Sequence, residues 1–281
     1  MSGEKDRSNY IEFDKELKVT DFEHKVRSDG KVLAVACYPA QITEGIPAFD
    51  RALIPESLEE QDIPLGVRDI IRVKREGDSP PEVTELVEKR STQEHQYPRR
   101  CPVCHSPVVM DDSVGFCAGG IACNSQLIYA LEHYLVRSHE ITVMDGESCQ
   151  ELIDRDLITD LPDIYELRVA DVQSLSGWGS QSAETFVQKV EETKNPGLSK
   201  FLYSLDIPGV TAQTAGTLMA EFDNFGDIYD AGVEADQRAF ELVDGVDSNS
   251  AELITLFFQS ESNCSVIDRL LEFVTPQEHT F

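Results

Sequence analysis

The run CPVCHSPVVMDDSVGFCAGGIAC, residues 101–123, limits what this chain can fold into more than any other stretch. Cys101 and Cys104 form C-x-x-C, and Cys117 and Cys123 form C-x5-C. Two close pairs separated by a short hairpin can bring four thiolates to one tetrahedral centre, about 2.3 Å from a zinc ion. Gly115, Gly119 and Gly120 permit the sharp turns such a knuckle needs. Chance pairing or a disulfide couple is the competing account. An odd total of seven cysteines, behind an N-terminus with no apolar signal stretch, weighs against it. Four thiolates close the shell and leave His105 as a spare candidate. With no position left for water, the expected zinc is structural. Cys37, Cys149 and Cys264 stand apart from any second cysteine and read as core residues.

The surrounding charge argues against nucleic acid at first reading. The chain carries 52 acidic and 24 basic residues, a formal net charge of −28. Dispersed acid repels phosphate. A second account is adaptation to a very salty cytoplasm, where a Debye length of roughly 3 Å near molar salt screens both self-repulsion and repulsion from DNA. The halophilic account is preferred, and it makes net charge a poor guide to partners. No apolar run reaches the length of a membrane span, so the expected location is cytoplasmic, without membrane contact. Met1 and an end just past the last helical stretch suit a short natural gene as well as a fragment.

The hydrophobic period changes along the chain. After a tail over 1–14, residues 15–95 read as short strands with turns at Gly77-Asp78 and Pro80-Pro81, which predicts a small β-barrel or sandwich. EKRSTQEHQYPRR has no apolar periodicity and reads as a linker into the knuckle, placed at 96–125. From 126 to 281 the period becomes helical, beginning with Leu127, Leu131 and Leu135 on one face. The fold class expected is therefore multidomain α+β: a small β-barrel, a four-cysteine knuckle and an all-α domain.

Glycine turns recur in the helical part. Gly177-Trp178-Gly179 precedes an amphipathic helix carrying Ala183, Phe186, Val187 and Val190, and Gly209 and Gly245 follow at the spacing of stacked two-helix units. Such a turn lets a phosphate approach the backbone, and the N–H groups opening the second helix point at an anion. An ordinary bundle with glycine caps is the alternative reading.

The order of parts, VKREGDSPPEV, then CPVC…CAGGIAC, then SGWGSQSA and FLYSLDIPGVTAQTA, resembles the C-terminal half of bacterial-type NAD-dependent DNA ligases. The resemblance runs from about Lys15 to Phe273. It implies an OB-fold barrel, a four-cysteine zinc finger and a helix–hairpin–helix domain. It implies that Cys101, Cys104, Cys117 and Cys123 bind zinc. It further implies that Gly177, Gly179, Gly209, Thr211 and Gly245, with Arg72, Lys74 and Arg75 of the barrel and Arg27 and Lys31 of its loop, clamp nicked or duplex DNA. The 281 residues hold no K-x-D-G adenylation motif; the nearest strings are RSDGK at Arg27–Lys31 and VMDGE at Val143–Glu147. Without that lysine the covalent step has no nucleophile. No ligation is expected from this chain alone, and NAD would enter only through a separate adenylation chain. Two other readings stay open: a stand-alone non-catalytic DNA-binding protein, and a protein-interaction remnant. Within the turns, Asp247 sets a carboxylate where a phosphate would sit.

Overall fold

The structure, a computed structural model, describes residues 13–43, 46–59, 64–77, 79–111, 114–222 and 224–277. Most of the expected tail, and Asp78 of the expected Gly77-Asp78 turn, lie outside the described residues. Backbone contacts divide the chain into two units. One comprises Met1–Arg27, Lys31–Pro102 and Val108–Phe116, and the other Ser28–Gly30, Val103–Pro107 and Cys117–Phe281.

The first unit is a mixed sheet. Its strands are β1 (Phe13–Lys18), β2 (Asp21–Val26), β3 (Lys31–Thr43), β4 (Ile46–Leu53), β5 (Ile70–Arg75), β6 (Glu82–Glu88), β7 (Val108–Asp111) and β8 (Val114–Cys117), with a short helix α1 (Glu56–Glu59) after β4. Strand β2 pairs antiparallel with β3, β3 with β4, β5 with β6 and β1 with β5, while β4 runs parallel to β6. The pairing order is β2-β3-β4-β6-β5-β1, and only Val19 and Thr20 separate β1 from β2 along the chain. Val19, fully buried, fixes the bend by donating to the Asp69 carbonyl and accepting from Arg68 N–H, both at 2.9 Å. Ala34, Ala36 and Tyr38 of β3 alternate inward with Ile71 and Val73 of β5, the period-two pattern of strands with one buried face. Strand β3 changes register against β4 between Cys37 and Gln41, around Pro39, which has no N–H to give a ladder. The knuckle adds a pairing that periodicity had not shown: β8 lies antiparallel to β3, Lys31 opposite Phe116.

EKRSTQEHQYPRR is no free linker. The fully buried Asp69 accepts from the N–H groups of Gly66, Arg90 and Ser91 and from the Ser91 hydroxyl, at 2.6–2.9 Å. His95 stacks on Phe22, with ring centroids 4.8 Å apart. These anchors are polar and aromatic, so they leave no trace in a hydrophobic pattern.

In the second unit the helices are α2 (Leu127–Glu132), α3 (Gly146–Asp154), α4 (Val169–Gln173), α5 (Ser180–Glu192), α6 (Leu198–Ser204), α7 (Ala212–Glu221), α8 (Phe225–Val233), α9 (Gln237–Glu241), α10 (Ser248–Phe258) and α11 (Glu261–Leu270). Leu127, Leu131 and Leu135 are all buried, as their spacing requires. Phe186, Phe201, Phe240, Phe257 and Phe258 fill one continuous core. Each such side chain contributes about 1.5–3 kcal/mol by leaving water.

Candidate metal centre and helix-turn repeats

The sulfur atoms of Cys101, Cys104, Cys117 and Cys123 lie within 4.8 Å of one another, and Cys104 and Cys117 approach to 3.4 Å. A tetrahedron with metal–sulfur bonds near 2.3 Å has edges of about 3.8 Å, so the cluster has the size and the donors to hold one metal ion, and it is compatible with zinc. Cys101, Cys117 and Cys123 are buried and Cys104 partly so. Hydrogen bonds from Cys117, then Cys123, hold the Cys104 thiol far below its ordinary range, and the same contact with Cys104 holds Cys117 far above it. Neighbouring sulfurs cannot all ionise on their own. A bound cation lets every one of them shed its proton.

The backbone around the cluster is shaped to it. Gly119 N–H donates to Cys117 Sγ at 3.3 Å, and a Cβ on Gly119 would stand 2.5 Å from Cys104 Sγ. That position must be glycine. Gly30, at φ +85°, accepts from Cys117 N–H at 2.8 Å, and a Cβ there would meet Gln126 at 2.7 Å. Ser106 bonds Ser260 across 3.0 Å, and the buried Asn263 donates to the carbonyls of Ala118 (3.3 Å) and Phe257 (3.0 Å). Ser260 and Asn263 carry no motif. Their partners Ser106 and Ala118 lie some 150 positions back in the chain, beyond any local pattern.

The glycine turns form a true repeat. Leu175–Trp178, Ile207–Val210 and Val243–Val246 each close with the last N–H on the first carbonyl, at 3.2, 2.9 and 3.1 Å. The third residue of each is glycine, Gly177, Gly209 and Gly245, with φ of +80°, +83° and +82°. That is the type II turn, which needs φ > 0 at this place. Each turn leads from a shorter helix into a longer one: α4 into α5, α6 into α7, α9 into α10.

The N-cap two residues beyond the turn glycine is what differs. Gly179, Thr211 and Asp247 all have ordinary extended backbone, so nothing in the conformation there demands glycine. Gly179 leaves its helix start bare of side chain, and a Cβ at Gly177 or Gly179 would touch nothing within 4 Å. The Thr211 hydroxyl accepts from Thr214 N–H at 3.1 Å, and the Asp247 carboxylate accepts from Ser250 N–H at 2.7 Å. That bond holds the Asp247 carboxyl below its ordinary range. Ahead of α3, Asp145 accepts in the same way from Ser148 N–H at 2.8 Å. Trp178, between its two glycines, packs edge-on against Phe186 and donates from its indole to the Ser148 hydroxyl at 2.9 Å.

Among the cations of the sheet, Arg72 is ion-paired to Glu16 (2.8 Å), Glu85 (3.3 Å) and Asp14 (3.7 Å), and Lys74 to Asp14 (3.5 Å). Arg75 donates to the Ser79 carbonyl at 3.0 Å. Arg27 N–H donates to the Lys31 carbonyl at 2.9 Å, which sets these two at the mouth of the β2–β3 turn. Arg72 and Lys74 thus share one sheet face with three carboxylates.

No helix among the described residues is long and apolar enough to cross a membrane. No protein-family model matches the chain. It is similar to proteins named DNA ligase from Haloquadratum walsbyi (36% identical, covering 92% of this chain and 34% of that protein) and Haloarcula marismortui (37%, 93% and 38%). A third DNA ligase, from Halorubrum lacusprofundi, is 40% identical over 82% of this chain and 32% of its own length. Across most of its length the chain is similar to DNA ligases, and it spans about a third of the relatives it matches.

Proposed function

We propose that this chain is the DNA-holding part of an NAD-dependent ligase system. In this reading the mixed sheet is an OB-fold, the turn repeats are helix–hairpin–helix motifs and the four cysteines carry structural zinc. The repeat of type II turns opening onto helix N-termini is the observation that carries it. Successive helix starts present N–H groups to phosphates and hold a duplex without reading its bases. Zinc would supply no reaction chemistry here; it would hold the knuckle folded.

The hairpin ending at Gly179 is the best phosphate site, since its N-cap has no side chain and only the Ser182 hydroxyl, accepting from Gly179 N–H at 3.0 Å, stands at the helix start. Asp247 already occupies the Ser250 N–H at the start of α10 with a negative charge. Arg27 and Lys31 at the β2–β3 turn, with Arg75, would face the DNA backbone. Arg72 and Lys74 contribute less, because their carboxylate neighbours offset their charge. The dispersed acid suits a salty cytoplasm, where such offsets are screened. With no K-x-D-G in the 281 residues, adenylate transfer is assigned to a part of the ligase system outside these residues.

The test is binding of nicked duplex at graded salt by the parent and by Gly179→Val. The open space around Gly179 lets the variant fold, and its affinity should fall about 10- to 100-fold through loss of one charge-assisted contact set. A folded Gly179→Val that binds like the parent removes the clamp and favours a protein-interaction role.

A further inference from the structure

A cavity of about 320 Å³ in the first unit lies where Phe22 of β2 meets the turn Gly66–Asp69 and the segment anchored by Asp69. Phe22, Val67, Arg68, Arg90 and His95 line it together with one carboxylate, that of Glu94. Arg68 is the conformational outlier among the described non-glycine residues. It occupies the third place of a turn closed by Asp69 N–H on the Gly66 carbonyl, with φ of +86°. A type II turn calls for glycine there. The five other described non-glycine residues with positive φ fall between 48° and 61°, inside or at the edge of the left-handed region that L-residues can reach, and Arg68 does not.

The surroundings enforce this strain. A Cβ on Gly66 would lie 2.1 Å from the Gln93 carbonyl oxygen, and Asp69 binds the turn from below. Yet the Arg68 guanidinium has no hydrogen bond or ion pair among the described residues, in a chain where acid outnumbers base by two to one. Strain retained at a side chain with no internal partner points to a task outside the chain. Two further features share the cavity. Val67 is 44% exposed beside the Phe22–His95 stack, and the buried Nε2 of His95 has no hydrogen-bond partner. Arg90 adds a second guanidinium, paired with Glu88 at 2.5 Å.

We propose that this cavity binds a nucleotide, with Arg68 on its phosphate and Val67, Phe22 and His95 against its base. A bare phosphate would leave the apolar half uncovered, and a nucleoside would leave the arginine unused. Pockets of this volume suit a ligand of mononucleotide size. The choice of ligand class rests on the nucleic-acid reading above. The source is either a free nucleotide or an unpaired nucleotide of a DNA strand.

The experiment titrates the full chain with deoxyadenosine monophosphate, deoxyadenosine, inorganic phosphate and a short single-stranded oligonucleotide. It is run at the lowest salt at which the chain stays folded, and His95 ring resonances report occupancy. The monophosphate should bind about tenfold or more tightly than either fragment, as expected for a charge-assisted contact added to apolar burial. Arg68→Gly should raise the melting temperature by about 2–4 °C through relief of strain, while nucleotide affinity falls about tenfold. Arg68→Gln keeps the strain and should lose the affinity alone. Binding of the oligonucleotide but not the monophosphate, lost in Arg68→Gly, assigns the site to a DNA strand; the reverse assigns it to a free nucleotide. The proposal falls if neither binds, or if Arg68→Gly melts higher and binds unchanged. Nicked-duplex affinity of Gly179→Val is read separately, so failure here leaves the hairpin clamp standing, and its failure leaves this cavity standing.

Discussion

Asp69 shows how one side chain can organise a segment that hydrophobicity leaves blank. Burial alone pushes its carboxyl up, but the N–H groups of Ser91, Arg90 and Gly66 and the Ser91 hydroxyl outweigh that and hold it below its ordinary range. A group depressed in the folded state adds stability that is complete above its unfolded value, about pH 3.9, and is lost as pH falls through the folded value. Asp69→Ala orphans several buried donors and should cost about 2–3 kcal/mol in urea unfolding at neutral pH. Asp69→Asn should shrink the loss of stability as pH falls below about 4, relative to the parent. An acid limb equal to the parent's would remove Asp69 as its source. At the knuckle, Gly119→Ala drives a methyl group into Cys104 Sγ, so it should lose bound metal much as Cys117→Ser does. Metal analysis of the purified variants decides, and a Gly119→Ala protein that binds as much metal as the parent contradicts the cluster geometry.

At the scale of elements, the turn repeats separate two requirements that sequence merges into one Gly-x-Gly. The first glycine is a conformational need, since φ is near +80° in all three turns. Gly245→Ala therefore strains the backbone and should cost about 1–2 kcal/mol whatever it does to DNA. The second glycine is only an absence of side chain. Asp247→Gly is thus the cleaner probe: replacing an Asp cap by Gly costs a few tenths of a kcal/mol, while duplex binding should tighten as α10 regains its free N–H groups. Binding weaker than the parent's would mean that Asp247 helps the interaction. The turns of α4–α5 and α9–α10 look alike on sequence because both follow the same fold rule. Their difference lies in what stands at the N-cap, a bare backbone or a carboxylate.

For the whole molecule, the net charge of −28 implies self-repulsion that salt relieves. The chain should unfold at low ionic strength and gain stability as potassium chloride approaches molar concentration. Circular dichroism melts across that range will show it, and a melting temperature independent of salt would refute the halophilic reading. Labelled NAD, incubated with the chain and run under denaturing conditions, should leave no adenylated band, since the sequence offers no K-x-D-G lysine. A band that survives denaturation would place catalysis in this chain.

Local chemistry was legible from the sequence, and distant pairing was not. Four cysteines at C-x-x-C and C-x5-C spacing announce a metal cluster because the ligands lie close along the chain. The change from period two to helical period marks strands from helices, and glycine marks the turns, because φ > 0 is a property of one residue. What only the tertiary structure decided depends on atoms far apart in sequence. Strands β4 and β6 meet in a parallel contact of Leu53 with Glu82, Asp69 seizes a segment some twenty residues on, and Asn263 reaches back to Ala118. The same holds for charge. Sequence shows Arg72 and Lys74 as two cations on one strand face, and only strand pairing sets Asp14, Glu16 and Glu85 beside them. Periodicity records which face of an element meets the core. Which partner it meets there is set by the packing of the whole chain.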